Sequence, residues 1–347
     1  MTFLVTGGAG FVGSNLAIRL KSRYPKERVI AFDNLKRRGS ELSLSRLKQN
    51  SVEFVHGDVR SISDLNQFGE VSTILDCAAE PSVQAGLDGA TQYLVDTNLL
   101  GTINLLELAK KYRSRFVLLS SSRIYPFKVI NNLKYKETET RYEMADPIIG
   151  KNGISEEFPL TGERSLYGAT KLGSELLLTE YASMFSFEYV INRCGVIAGP
   201  WQMGKVDQGF LVLWVAKHIF GGNLNYTGFG GRGKQTRDLM HIDDLADLIV
   251  TQLDSGLSND LYNVGGGYER LVSLLEVTKM VEEVTGRSIN IGSIPETHPN
   301  DCIYYNTNNS KVTNRFGWKP KRTVIELITD VKDWIVNNQN LLKPVLS

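Results

Sequence analysis

The sequence predicts an α/β protein, a doubly wound parallel sheet with a smaller α/β substrate lobe toward the C-terminus. Short apolar runs alternate with segments of helical period through the first two hundred residues, as strands covered by helices on both faces do. Past that point the rhythm loosens into shorter elements. The chain has 347 residues, long for one compact domain and short for three.

In chain order the strand candidates are TFLVT (2–6), RVIAFD (28–33), VEFVH (52–56), TILDC (73–77), RFVLLS (115–120) and EYVINR (188–193), with helices at 11–23, 92–112 and 166–185 between them. The longest irregular stretch, 125–164, holds NNLKYKETETRY and GKNGISEEFPLTGE. A loop of that length in a compact enzyme is either functional or disordered. Beyond AGPWQ come a helix near 207–220, a strand at 224–227, a helix over 242–254, a strand at 260–264 and helices near 273–285 and 323–338. The expected division is 1–195 for the sheet domain and 196–347 for the smaller lobe, partly interleaved with the first.

Lys and Arg together number 39 and Asp and Glu 38, so no net field gathers nucleic acid or an anionic membrane. A small-molecule partner is expected. Cys77, Cys194 and Cys302 are isolated, without metal-ligand spacing, which fits reduced thiols and no metal site. The chain opens on MTFLVTGG instead of a signal peptide, and no apolar run reaches the length of a membrane span. A cytoplasmic location is expected.

The first strand runs into TGGAGFVGSNLA, where Gly7, Gly10 and Gly13 precede or open a helix. Glycine lets the backbone approach a pyrophosphate, and a helix N-terminus offers it free N–H groups and partial positive charge. Asp33 follows 20 residues after Gly13 at the end of the second strand, placed to accept bonds from a ribose diol. This is the Rossmann pattern of dinucleotide binding. Asp33 repels a 2′-phosphate, which favours NAD; the following KRR (36–38) is either a solvated loop face or a place for that phosphate.

In SLYGATKLGSELL, Tyr167 and Lys171 lie at i and i+4 and share one helix face. A free phenol titrates near ~10 and is a poor base at neutral pH, but an ammonium and an oxidised nicotinamide nearby both favour the phenolate. Such a pair is more often plain solvated surface. The serine cluster Ser120 to Ser122, at the carboxyl end of a parallel strand, is where an open α/β sheet binds ligands and turns the reading toward catalysis.

The motifs TGGAGFVG, FDNL, HGDVR, CAA, DTNLLGT, SSSRIY, YGATK and RDLMHIDDLA together resemble the extended short-chain dehydrogenase/reductase family, over nearly the whole chain. The resemblance implies that Tyr167 transfers the proton, that Lys171 orients it and binds the nicotinamide ribose, and that a serine bonds the reacting oxygen. Counting back four from Tyr125 selects Ser121. It further implies NAD held by Gly7, Gly10, Phe11, Val12, Gly13, Asp33 and Asn34, with Asp58 and Val59 flanking the adenine. Ala78 and Ala79 line the pyrophosphate and Asn98 supports the site. A homodimer through helices 92–112 and 166–185 is implied too, with Leu99, Ile103, Leu106 and Leu176 as apolar surface.

Members that eliminate water place an Asp and a Glu directly after the catalytic hydroxyl residue; the matching positions are Ser122 and Arg123. An epimerase is therefore favoured over a 4,6-dehydratase. KYKETETRY (134–142), DQGFLVLW (207–214) and GKQTRDLMH (233–241) resemble the CDP-tyvelose (CDP-paratose) 2-epimerase branch. On that resemblance the nucleotide sugar is met by Ser82, Ser122, Arg123, Gln208, Arg237 and His298. Arg237 suits the diphosphate because its fork of donors matches phosphate oxygens; the alternative is a surface pair with Asp238. The chain departs from its relatives at Val196, Trp201, His298 and Ile303, where they carry Asn, Arg, Arg and a second basic residue. A UDP-sugar 4-epimerase and a non-catalytic nucleotide-binding protein remain as alternatives.

Overall fold

The computed structural model describes residues 1–84, 89, 91–205 and 208–347. The chain forms two compact units. The first comprises Met1–Ile124, Ser165–Arg193 and Ala246–Tyr262, and the second Tyr125–Arg164, Cys194–Leu245 and Asn263–Ser347.

A seven-stranded sheet organises the first unit. Strands β1 (Thr2–Thr6), β2 (Arg28–Asp33), β3 (Glu53–His56), β4 (Thr73–Asp76) and β5 (Arg115–Ser121) are joined by Tyr189–Cys194 and Asp260–Val264. The order across the sheet is β3, β2, β1, β4, β5, then Tyr189–Cys194 and Asp260–Val264 at the far edge. The pairs β1–β2, β2–β3, β1–β4 and β4–β5 are parallel, with Thr6 beside Phe32 and Val5 beside Leu75. This is the Rossmann order, and the direction of winding reverses between β1 and β4, where such sheets bind ligands at the carboxyl ends of their strands. The core is Leu4, Ile30, Phe32, Ile74 and Leu118 of the sheet, packed with Leu105, Leu106 and Leu178 from the helices Gly101–Tyr112 and Leu166–Phe185.

The helix expected over 92–112 differs from a single regular rod. It runs Thr91–Val95, widens into a π-turn over Asp96–Leu100, and resumes at Gly101–Tyr112. Such a widening concentrates at functional sites, and this one carries the buried Asn98. Leu106, expected at the surface, is fully buried against the sheet; of the named apolar residues Leu176 is strongly exposed, at 62%.

In the second unit Thr236–His241 is the centre of a small sheet, antiparallel to Leu271–Ser273 and parallel to Tyr304–Tyr305 and Val196–Ala198. The stretch 125–164 is irregular only in part. It folds into the helices Phe127–Asn131 and Pro147–Asn152 around a hairpin, Tyr135–Glu137 with Tyr142–Met144. Arg141 anchors the hairpin through Glu276 at 2.8 Å and the Leu271 carbonyl at 2.9 Å. The helix expected from 207 is seen as Phe210–Phe220, residue 207 lying outside the described residues.

Candidate active site

The glycine turn between β1 and helix Phe11–Arg23 is tight. Gly7 has φ +59°, and a Cβ on Gly13 would fall 2.2 Å from the Gly7 carbonyl oxygen. Gly10 caps the helix in extended conformation, so the first-turn N–H groups of Phe11, Val12 and Gly13 have no partner within the helix. At the end of β2, Asp33 accepts the N–H groups of Ala9 at 3.1 Å and Leu35 at 2.8 Å, which fastens the carboxylate beside this turn. Burial pushes its carboxyl above the ordinary range, partly offset by the main-chain N–H groups of Leu35, Ala9 and Gly10.

Asp58 accepts from Arg60, with Nη2 at 2.6 Å, and from the Asn34 amide at 2.9 Å. The Arg60 guanidinium holds its carboxyl well below the usual range, Asn34 assisting. Val59 is buried, and its carbonyl receives Asn104 Nδ2 at 2.9 Å. Lys36, from the KRR run, stacks over the Tyr93 ring at 3.1 Å from its centroid, with Arg60 also over that ring at 4.9 Å. Past β4, the Thr6 hydroxyl accepts the N–H groups of Cys77 and Ala78, both at 3.1 Å, and donates to buried Asp76. Asn98 braces the next segment, accepting the Glu80 N–H at 2.8 Å and donating to its carbonyl at 3.2 Å. Ser82 is buried and accepts the Gln84 N–H. A glycine cradle with helix-end donors, a fixed acid at the tip of β2 and a small-residue segment after β4 fit a dinucleotide.

Ser165 caps helix Leu166–Phe185 through the Gly168 N–H at 3.1 Å. Two residues on, Tyr167 is half-buried, and Lys171 on the same face is buried with Nζ donating to the Leu119 carbonyl at 3.0 Å. Ser121, at the end of β5, accepts the Arg123 N–H at 3.1 Å and keeps its own proton to donate. Ser122 and Arg123 form the short helical turn that follows, both half-buried. The packing of this helix on β5 and the turn after it gathers Ser121, Tyr167 and Lys171 in one region of the first unit. The plain solvated face that the Tyr–Lys spacing allowed is excluded by the burial of Lys171.

The second unit holds the other three candidates. Arg237 donates to Asp301 at 3.0 Å, to the Cys302 carbonyl and to the Thr236 carbonyl at 2.8 Å. The pair with Asp238 gives way because neighbouring strand residues face opposite sides: Asp238 is fully buried and accepts the Gly267 N–H at 2.9 Å. His298 is exposed, and Gln208 bridges back to Lys205. Sequence reading passed over Glu175 and Arg193, buried and paired at 2.8 Å beside the serine cluster. The only local signal was an acid one further turn along the Tyr167–Lys171 face.

The pattern of the NAD dependent epimerase/dehydratase family matches residues 3–265. The CDP-paratose 2-epimerase of Salmonella typhi is 31% identical over 96% of this chain and 99% of its own length. Among solved structures, a double mutant of the dTDP-glucose 4,6-dehydratase of Streptomyces venezuelae with NAD bound gives a TM-score of 0.82 at 25% identity, covering 99% of this chain and 100% of that one. The UDP-glucuronic acid 4-epimerase of Bacillus cereus, in complex with UDP-glucuronic acid and NAD, gives 0.79 at 25% identity over 97% of this chain and 99% of the other. With a match across most of the chain and a glycine cradle and acid placed for the dinucleotide, this protein belongs to the NAD dependent epimerase/dehydratase family, and NAD is its cofactor.

Proposed function

We propose that the protein inverts C2 of a CDP-hexose of the tyvelose or paratose type, through a transient ketosugar, and keeps its NAD through turnover. The observation that carries the reading is the 31% identity with a CDP-paratose 2-epimerase across nearly both chains. The residues after Ser121 support it: Ser122 and Arg123 offer no carboxylate pair for elimination, which disfavours a dehydratase.

When bound, NAD would supply the redox chemistry, as reversible acceptor of the sugar's hydride. The rest falls to the chain. Gly7, Gly10, Phe11, Val12 and Gly13 hold the pyrophosphate, Asp33 and Asn34 the adenosine ribose, and Asp58 and Val59 flank the adenine, while Ala78, Ala79 and Asn98 complete the cofactor's bed. Tyr167 takes the proton from the sugar hydroxyl as the carbonyl forms and returns it when the carbonyl is reduced. Lys171 holds the nicotinamide ribose and orients Tyr167, and Ser121 donates a bond to the reacting oxygen. Ser82, Ser122 and Arg123 are the first unit's candidates for the substrate; of the second unit's candidates, Arg237 is the one for the diphosphate, His298 for a phosphate, and Gln208 is a further substrate residue.

A UDP-sugar 4-epimerase is the second reading, favoured by the likeness to the Bacillus cereus 4-epimerase. A non-catalytic nucleotide-binding protein has no use for Ser121, Tyr167 and Lys171 together. We also read the protein as a homodimer, because Leu100, Leu176 and Met184 are exposed on the two helices expected to associate, and as cytoplasmic, on the isolated spacing of its three cysteines.

The test is incubation with CDP-, UDP-, GDP- and dTDP-hexoses without added cofactor, followed by proton NMR, in deuterated water and with substrate deuterated at C2. The expected product is inverted at C2, free of solvent deuterium, and retains the substrate's own label. Inversion at C4 promotes the second reading. Solvent deuterium at C2 would mean deprotonation beside a carbonyl, and that Tyr167 and NAD act otherwise.

A further inference from the structure

Three successive residues at the end of β5 are each fastened. The Leu119 carbonyl receives Lys171 Nζ at 3.0 Å, the Ser120 hydroxyl donates to the Glu175 carboxylate, and Ser121 Oγ accepts the Arg123 N–H at 3.1 Å. Glu175 stands one helical turn beyond Lys171 and two beyond Tyr167, so all three share a face. It is buried, 3% exposed, and so is Arg193 on strand Tyr189–Cys194. Arg193 Nη2 meets Glu175 Oε2 at 2.8 Å, while its Nε lies 3.1 and 3.2 Å from the two carboxylate oxygens.

A buried carboxylate stays ionised only when paired and fully bonded. Such a pair is weak evidence for stability, since desolvation offsets much of the Coulomb gain and an apolar pair of the same volume would often serve as well. What a hydrophobic pair could not do is grip the Ser120 hydroxyl. The ion pair also keeps the carboxylate from Lys171: a lysine and a glutamate at i and i+4 attract each other, but Arg193 takes this carboxylate, and Lys171 Nζ donates to the Leu119 carbonyl.

We propose that Glu175 is a positioning residue: neutralised by Arg193 and bonded to Ser120, it locks the end of β5 to the helix bearing Tyr167 and Lys171 and so fixes the direction of the Ser121 hydroxyl. The proposal rests on Ser121, Tyr167 and Lys171 being the reacting set. Ser120 is the gentlest handle on it, because Ser120→Ala removes the tie and leaves the ion pair in place, while Ser120→Thr keeps a hydroxyl.

The experiment compares NAD-loaded wild type, Ser120→Ala, Ser120→Thr, Glu175→Gln and Tyr167→Phe. Amide exchange of the peptide spanning 119–124 is read without substrate, and kcat and KM are read with CDP-paratose or whichever hexose of the panel turns over. In Ser120→Ala, exchange should quicken and kcat fall on the order of tenfold, as misplacement of a reacting group does, with KM, bound NAD and melting temperature little changed. Ser120→Thr should recover both readouts, and Glu175→Gln should lose them. The proposal is overturned if Ser120→Ala and Glu175→Gln exchange and turn over like wild type, or if the losses arrive together with lost NAD and a lowered melting temperature that Thr does not restore. Full turnover by Tyr167→Phe instead brings down the reacting set itself; an inactive Tyr167→Phe beside an unaffected Ser120→Ala brings down the positioning role alone.

Discussion

Tyr167 owes its place to a capped helix start two residues earlier, and Lys171 owes its burial to the strand it bonds. Removing the phenol oxygen takes away the group assigned to move the proton and nothing from the cofactor's bed. Tyr167→Phe should lower kcat on the order of a hundredfold or more with NAD retained, whereas Lys171→Met should lose activity and NAD together; assays paired with cofactor release on denaturation separate the two. At Asp33 the raised carboxyl gives a pH dependence. The stabilisation associated with its neutral form is present below the unfolded value of about 3.9 and is lost as pH rises through the folded value. A ribose diol donates to the ionised form, so bound NAD shifts that balance back. Retention of NAD on ultrafiltration should therefore weaken as pH falls through the raised value of this carboxyl, and Asp33→Asn should bind more weakly with that slope removed. An Asp33→Asn protein that keeps the slope would assign it to another group. Gly7, Asp33, Tyr167 and Lys171 were legible because a turn and a helix face are local spacings. Glu175 and Arg193 were not, since two residues 18 apart in sequence meet only when a helix and a strand have packed.

The turn between β1 and its helix is the element with least freedom. A Cβ on Gly13 meets the Gly7 carbonyl oxygen at 2.2 Å, a backbone atom that cannot swing aside. Gly13→Ala should cost about 1–3 kcal/mol through the shift it forces and should lower bound NAD, both read by melting the protein with and without added cofactor. A melting point and NAD content equal to wild type would show that the turn relaxes freely. Elements with strong periodicity, such as Phe11–Arg23 and Leu166–Phe185, were read closely from sequence. The hairpin within 125–164 was not, because strands of three residues carry little pattern and this pair is held by Arg141, Glu276 and the Tyr142 N–H bonded to Lys234. Leu106 was misplaced because an apolar helix stripe does not announce which neighbour it faces, and the sheet takes this one.

At the scale of the molecule, Leu176, Leu100 and Met184 are exposed apolar residues on helices of the first unit that self-association would cover. Sedimentation at micromolar concentration should show a dimer, and Leu176→Glu should shift it toward monomer without loss of NAD; a wild-type monomer would remove the association and leave the chemistry untouched. A parallel sheet covered by helices was legible in the alternation of strands and helices, but the strand at 260–264, expected in the smaller lobe, is the edge of the main sheet, because composition changes little where the chain crosses between units. That crossing bears on synthesis. The nascent polypeptide enters the second unit after Ile124 and returns to the first twice more before Tyr262. The strand that covers the open side of Tyr189–Cys194 is Asp260–Val264, made roughly 65 residues later, a delay of about 3–13 s at ordinary translation speeds. Throughout that interval a largely finished sheet presents unpaired N–H and C=O groups to the cell. A fragment ending at residue 195 should therefore precipitate where the full chain stays in solution, and the growing chain should depend on a chaperone until its last strand arrives.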